Sequence, residues 1–232
     1  MLKLKLKSSN KVSQNYKSFS ISFFSKAALT ICLSCLFFLH KSNAQLNRFD
    51  HSTLRELSED RKMENTKIYQ AISNTTNYIG LAMPVSLLVA GEIRNDKDLK
   101  RKALVAGESF LVSTAITFTL KNTVKRSRPF AVDTLIKKAA PGGGYSFPSG
   151  HTSEAFATAT SLSLAFPKWY VIAPSYIWAG TVAYSRMYLG VHYPTDILGG
   201  AIVGAGSAFL CYKVNKWLVQ KKEKKQLPTF SN

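Results

Sequence analysis

Five apolar stretches, residues 78–93, 103–120, 152–166, 169–187 and 196–217, follow one another through the middle of the chain and restrict its fold more than any other feature. Runs of this length read as helices in or against a bilayer. A straight crossing of a ~30 Å hydrocarbon core needs about 20 residues, so the shorter stretches must use flanking residues at the interface or be partly buried in protein. Breakers separate them at Pro129, Pro141-Gly142-Gly143-Gly144, Pro167 and Pro194, while Pro84 and Pro174 fall inside stretches, where a kink is expected. The expected architecture is all-α: one membrane-embedded helical bundle.

The polar ends divide the chain further. Its first 44 residues carry seven lysines and no acid, then an apolar run, then Ser42-Asn43-Ala44 before Gln45. That order reads as a secretory signal peptide, residues 1–44, cleaved after Ala44. An uncleaved N-terminal anchor is the alternative. Residues 45–77 balance five basic against five acidic side chains; Thr53-x-x-Glu56 resembles a capping box opening an amphipathic helix, read as a solvated lead-in. The bundle is expected over 78–218 and a basic tail over 219–232. Cys32 and Cys35 fall in the leader, so cleavage would leave Cys211 alone and no intramolecular disulfide.

A formal charge of +18 invites nucleic acid as a partner. Seven of those charges belong to the leader, and the rest cluster near three motifs or at the helix ends rather than along one polar face. Anionic lipids and phosphates are the better partners, with the bilayer itself as a third; oligomeric state is open.

The three motifs are Lys121 with Arg128-Pro129, then Pro148-Ser149-Gly150-His151, then Ser185-Arg186 with His192 and Asp196. Lys121, Arg128 and Arg186 are three cations, two of them guanidinium forks that can grip a phosphoryl group through paired hydrogen bonds. The second motif precedes a helical pattern, so Ser149, Gly150 and the free amides of a helix start converge where an anion binds well. His192 and Asp196 supply an imidazole and a carboxylate that can fix its tautomer, which makes His192 a candidate nucleophile. His151 could then protonate the departing oxygen.

The spacing Lys-x6-Arg-Pro, the Pro-Ser-Gly-His tetrad and Arg186-x5-His192-x3-Asp196 resemble the type 2 phosphatidic acid phosphatase (PAP2) superfamily, whose relatives include vanadium haloperoxidases. The resemblance covers roughly residues 75–215. It implies the helical fold of that superfamily, phosphate binding by Lys121, Arg128 and Arg186 with polar help from Ser149 and Gly150, attack by His192, orientation by Asp196 and proton donation by His151. The implied intermediate is a phosphohistidine. No cofactor is implied. A two-metal mechanism competes on chemistry, but between residues 121 and 200 the carboxylates are only Asp133, Glu154 and Asp196, too scattered for a two-metal cage. Haloperoxidase chemistry stays open at the level of motif, and membrane character disfavours it.

If the five stretches cross in turn, the three motifs share one face of the membrane. Lysines at 221–225 and the basic loop around 94–102 would lie on the other, cytoplasmic side. The site would then face the periplasm or exterior of a bacterial inner membrane. The expected reaction is hydrolysis of a lipid phosphate or diphosphate, with undecaprenyl diphosphate, phosphatidic acid or phosphatidylglycerophosphate, and lipid A phosphates all open as substrates. The alternative is a periplasmic acid phosphatase acting on soluble esters. Glycines 199, 200, 204 and 206 suggest a close helix contact in the last stretch.

Overall fold

The structure, a computed structural model, describes residues 43–226. The chain divides into Met1–Arg48 and Phe49–Asn232, and the second unit carries every helix below except the start of the first. The expected signal segment lies almost wholly outside the described residues, as does the end of the basic tail. The helices are α1 (Asn43–Glu59), α2 (Met63–Ile93), α3 (Lys97–Val124), the single turn α4 (Pro129–Val132), α5 (Gly150–Ala165), α6 (Trp169–Tyr188) and α7 (Pro194–Gln226), with no strand among the described residues.

Local chemistry explains several boundaries. Asp96 caps α3, its carboxylate accepting from the amides of Asp98 at 2.9 Å and Leu99 at 3.1 Å. Lys125 ends the helix in the left-handed region at φ 52°. Arg128 is extended because Pro129 follows it, and Pro129 then opens α4 at a position that needs no amide donor. Pro194 opens α7 in the same way, leaving Asp196 in the first turn, where negative charge is favoured. Both α2 and α6 run through their internal prolines, Pro84 and Pro174, as continuous helices.

Three expectations need correction. Helix α1 begins at Asn43, ten residues before Thr53, so Thr53 sits mid-helix and is no cap. Nor is the segment a solvated lead-in, because Asp50 and Leu54 are fully buried, Leu54 against Ile136 and Tyr193. The apolar stretch at 78–93 is the second half of a longer helix, α2.

The packing is inverted relative to a water-soluble bundle. Inside lie small residues: Ser73, Thr76, Ser109, Ser113, Thr117, Ser153 and a ladder of alanines at 155, 157 and 159. Outside lie Leu81, Leu111, Phe118, Ile177, Ile202 and Phe209. Small interior residues let helix backbones approach, and large apolar side chains face outward where the solvent is lipid. Hydroxyls close the interior, with Ser153 bonded to Ser113 and accepting from Thr117 at 3.0 Å. Three segments, Met63–Ile93, Lys97–Val132 and Pro194–Lys222, are long and apolar enough to cross a membrane. The chain is therefore a membrane protein.

Helix α5 is central, packed by α2, α3, α6 and α7. Its 16 residues reach only about 24 Å at 1.5 Å each, and burial in protein accounts for that shortness. The glycines of α7 allow the contact: a Cβ on Gly204 would stand 2.1 Å from the Ser153 carbonyl oxygen, and one on Gly200 2.6 Å from that of Ser149. Gly206 faces open space and takes no part.

Gly204→Ala is expected to lower the unfolding midpoint in detergent, because backbone on α5 cannot yield to the added methyl; overpacking of this kind costs about 1–3 kcal/mol. Gly206→Ala should be neutral or mildly stabilising. Equal midpoints for the two variants would contradict the assigned helix contact.

Candidate active site

All three motifs meet at one end of the bundle, around Asp196. This fully buried carboxylate accepts from the hydroxyl of Ser146, from the Tyr193 amide at 2.9 Å and from Arg126 at 2.7 Å. Its own backbone carbonyl accepts from the Ser149 amide at 3.0 Å, tying the start of α7 to the start of α5. His192, 2% exposed, turns Nδ1 toward Asp196 Oδ2 at 3.5 Å, an ion-pair distance without a formed hydrogen bond. Its Nε2 faces the other way, 3.4 Å from the guanidinium of Arg128. Hydrogen bonds to a reacting imidazole are often long until substrate binds.

The three motif cations have dipoles for partners. Lys121, in the last turn of α3, donates to the carbonyl of Tyr145 at 2.8 Å. Arg128 donates to carbonyls of Gly143 at 2.8 Å, Gly144 at 3.1 Å and Val191 at 3.0 Å. Arg186 donates to Ser73 at 2.6 Å, and its Nε is buried without a partner, as is His192 Nδ1. The Pro141-Gly142-Gly143-Gly144 loop thus wraps Arg128. A Cβ on Gly142 would stand 3.0 Å from that guanidinium, and Gly144 takes φ 65°, so glycine suits both positions.

Ser149 is the N-cap residue of α5, fully buried, and its hydroxyl accepts from Thr152 at 2.9 Å rather than capping an amide. A Cβ on Gly150 would meet nothing nearer than Thr117 at 3.9 Å, so no protein atom demands a glycine there. His151, in the first turn of α5, feels the charges of Arg186, His192, Arg128 and Lys121, which places it in the same cluster. Burial first, then those cations, lowers its pKa to about 3. Burial also lowers His192, in the turn before α7, to about 4, against the opposing pull of Asp196. Both imidazoles are neutral near pH 7. No three His, Cys, Asp or Glu side chains come together as a metal-ligand set among the described residues.

Arg126 differs from its neighbours. It bridges two buried carboxylates, Asp196 at 2.7 Å and Asp50 of α1 at 2.6 Å, and lies over the Tyr193 ring at 4.0 Å. Asp50 also accepts from the Thr195 amide and hydroxyl. A second anchor follows, in which Asp133 binds Arg55 at 2.7 Å and His51 at 3.2 Å. Burial raises the Asp133 carboxyl, but bonds from Arg55, the Leu135 amide and His51 outweigh it and hold it below the usual range. Sequence reasoning missed Asp50, Ser73, Ser146 and Thr195 as supports of the site. Arg126 was legible only as part of a basic run.

A lipid-facing helical bundle with a polar, cation-lined site at one end defines the class of protein. A sequence model of the PAP2 superfamily matches residues 102–220, and the chain belongs to that superfamily. The lipid A 4'-phosphatase of Bacteroides thetaiotaomicron is 35% identical over 118 residues, 44% of this chain and 52% of the relative. The undecaprenyl-diphosphatase of Sulfolobus acidocaldarius is 34% identical over 108 residues, 46% of this chain and 52% of the relative. The chain thus spans about half the length of these curated relatives. Among solved structures, the transmembrane PAP2-type phosphatidylglycerolphosphate phosphatase of Bacillus subtilis superposes with a TM-score of 0.64 at 22% identity, over 88% of this chain and 98% of that one. That likeness is one of fold.

Asp50→Asn should lower the unfolding midpoint, since it leaves Arg126 with one carboxylate where it had two. Asp50→Ala should lower it further by orphaning the Thr195 amide as well. Wild-type midpoints in both would show that α1 does not anchor the site.

Proposed function

We propose that this protein is a phosphatase that removes phosphate from a membrane lipid phosphate or diphosphate without a metal ion, through a phosphohistidine on His192. The observation that carries the reading is Arg128 at His192 Nε2, with the charges of Arg186 and Lys121 in the same cluster and Asp196 behind Nδ1. Lys121, Arg128 and Arg186 would exchange their carbonyl and hydroxyl partners for phosphoryl oxygens, and the unpaired Nε of Arg186 offers one more donor. Ser149 and the α5 amides beside Gly150 would complete the cradle. Cations in fixed positions then stabilise the charge of the transferring group.

In the first step Nε2 of neutral His192 attacks phosphorus, the P–O bond to the lipid breaks, and His151 gives its proton to the leaving oxygen. In the second, water attacks the phosphohistidine, His151 takes the water's proton, and inorganic phosphate leaves. Asp196 holds the Nδ1 proton and stabilises the positive imidazole. The lipid-facing exterior and relatives named for lipid A and undecaprenyl diphosphate support a lipid substrate over soluble esters. We place the site on the periplasmic or outer face of the inner membrane, because the basic α2–α3 turn and the end of α7 lie at the opposite end of the bundle.

The deciding experiment is phosphate release by the detergent-purified protein, with chelator, from lipid phosphates, lipid diphosphates and soluble esters. His192→Ala should abolish release, and Arg128→Lys should lower it at least tenfold because an ammonium cannot replace the fork. Release that persists in His192→Ala sinks the mechanism, and release from soluble esters alone sinks the lipid reading.

The pH profile tests the proton assignment. The productive free enzyme needs His192 neutral and His151 protonated. With pKa values of about 4 and about 3, the protonated fraction of His151 falls as pH rises. The fraction with His192 neutral and His151 protonated is greatest between those two values, so kcat/KM should climb as pH falls from neutrality toward about 4. An optimum above 8 would contradict the roles given to the two histidines.

A further inference from the structure

A second polar cavity lies at the opposite end of the bundle from His192. Its origin is the shortness of α5, which stops at Ala165 while α3 and α7 continue past it. The gap, about 340 Å³, is lined by Arg101 and Lys102 of α3, Ser161 and Leu164 of α5, and Lys216 and Val219 of α7, among others. Lys216 stands roughly 30 Å along α7 from Asp196 at 1.5 Å per residue, about the thickness of a hydrocarbon core. The two polar sites therefore belong to opposite membrane interfaces.

Three cations line this cavity and no carboxylate does. Arg101 and Lys102 share one partner, Asp98, which lies outside the lining, so positive charge remains in excess. Ser161 adds the independent observation: the residue is 4% exposed and its hydroxyl is buried with no hydrogen-bond partner among the described residues. Such orphans are uncommon and point to a group that completes them. Leu164 and Val219 give the same cavity an apolar wall. Cations, a hydroxyl donor and an apolar wall at an interface fit a phosphate headgroup with the start of its acyl chains.

We propose that this cavity binds the phosphate of an anionic phospholipid in the leaflet opposite the candidate active site. The phosphate sits between Arg101 and Lys216, Ser161 donates to it, and the glycerol and first methylenes lie against Leu164 and Val219. The proposal is independent of the phosphatase reading, since a phosphodiester lipid such as phosphatidylglycerol carries no terminal phosphate.

The test is thermal unfolding of the full chain in detergent with added phosphatidylglycerol, phosphatidylcholine or inorganic phosphate. Phosphatidylglycerol should raise the wild-type midpoint by about 3 °C, phosphatidylcholine should not, and Arg101→Gln/Lys216→Gln should lose the rise. Ser161→Ala, which changes no charge, should reduce it, and it keeps the test decisive if the double variant fails to fold. Lys221→Gln, outside the cavity, should retain it. An undiminished rise in the double variant and in Ser161→Ala overturns the proposal. So does an equal loss in Lys221→Gln, which would mean diffuse attraction. A rise produced equally by inorganic phosphate and lost in Arg101→Gln/Lys216→Gln overturns the lipid source and leaves a free-anion site.

Discussion

Everything at the polar end of this bundle is organised by one buried carboxylate. Asp196 is fully buried, and its acceptor sites are taken by Ser146 from the loop before α5, the Tyr193 amide, and Arg126 from the end of α3, with His192 close by. A lone charge at that depth would be costly, and distributing it over donors from different segments makes it tolerable. The same bonds fix where those segments sit. Moving Asp196 would free the Ser149 amide, the 189–193 turn and Arg126 together.

That arrangement depends on the inverted packing below it. Large apolar side chains gain little by leaving lipid for a protein interior, so the helices associate through close backbone approach and hydroxyl bonds. Ser153 and Gly204 illustrate the point, since the first bonds across to α3 while the second leaves room for its carbonyl. The distance between α5 and α7 set by these glycines is also the distance between Ser149 and Asp196. The geometry of the candidate site is thus a consequence of residues that carry no chemistry.

Much of this could be read from the chain because membrane helices and phosphate chemistry both leave local signatures. The apolar stretches marked α2, α3 and α5–α7, and the motif residues Lys121, Arg128, Ser149, His151, Arg186, His192 and Asp196 meet at one end of the bundle. What could not be read depends on long-range pairing. Asp50 lies 76 positions from Arg126 and sits in a segment whose balanced charges look like a solvated surface. Ser73 is 113 positions from Arg186. Neither has a spacing or a periodicity to betray it. The Thr53-x-x-Glu56 pattern misled because a capping box describes four residues and says nothing of a helix already running through them.

The contrast between Arg126 and Arg128 goes furthest. The two are separated by one residue, and in sequence they belong to a single basic run with Lys121 and Lys125. In the structure Arg126 neutralises Asp50 and Asp196, whereas among the described residues Arg128, Lys121 and Arg186 have carbonyls, a hydroxyl and the His192 ring as partners. An anion competing for Arg126 would have to break two buried ion pairs. An anion competing for the other three has only dipoles to displace, and a charge-assisted bond is roughly twice as strong as a neutral one. The distinction between a cation that holds the fold and cations able to hold a phosphate therefore lies in their partners. It explains why the Pro141-Gly142-Gly143-Gly144 loop presents carbonyl oxygens to Arg128 where carboxylates would have sequestered it.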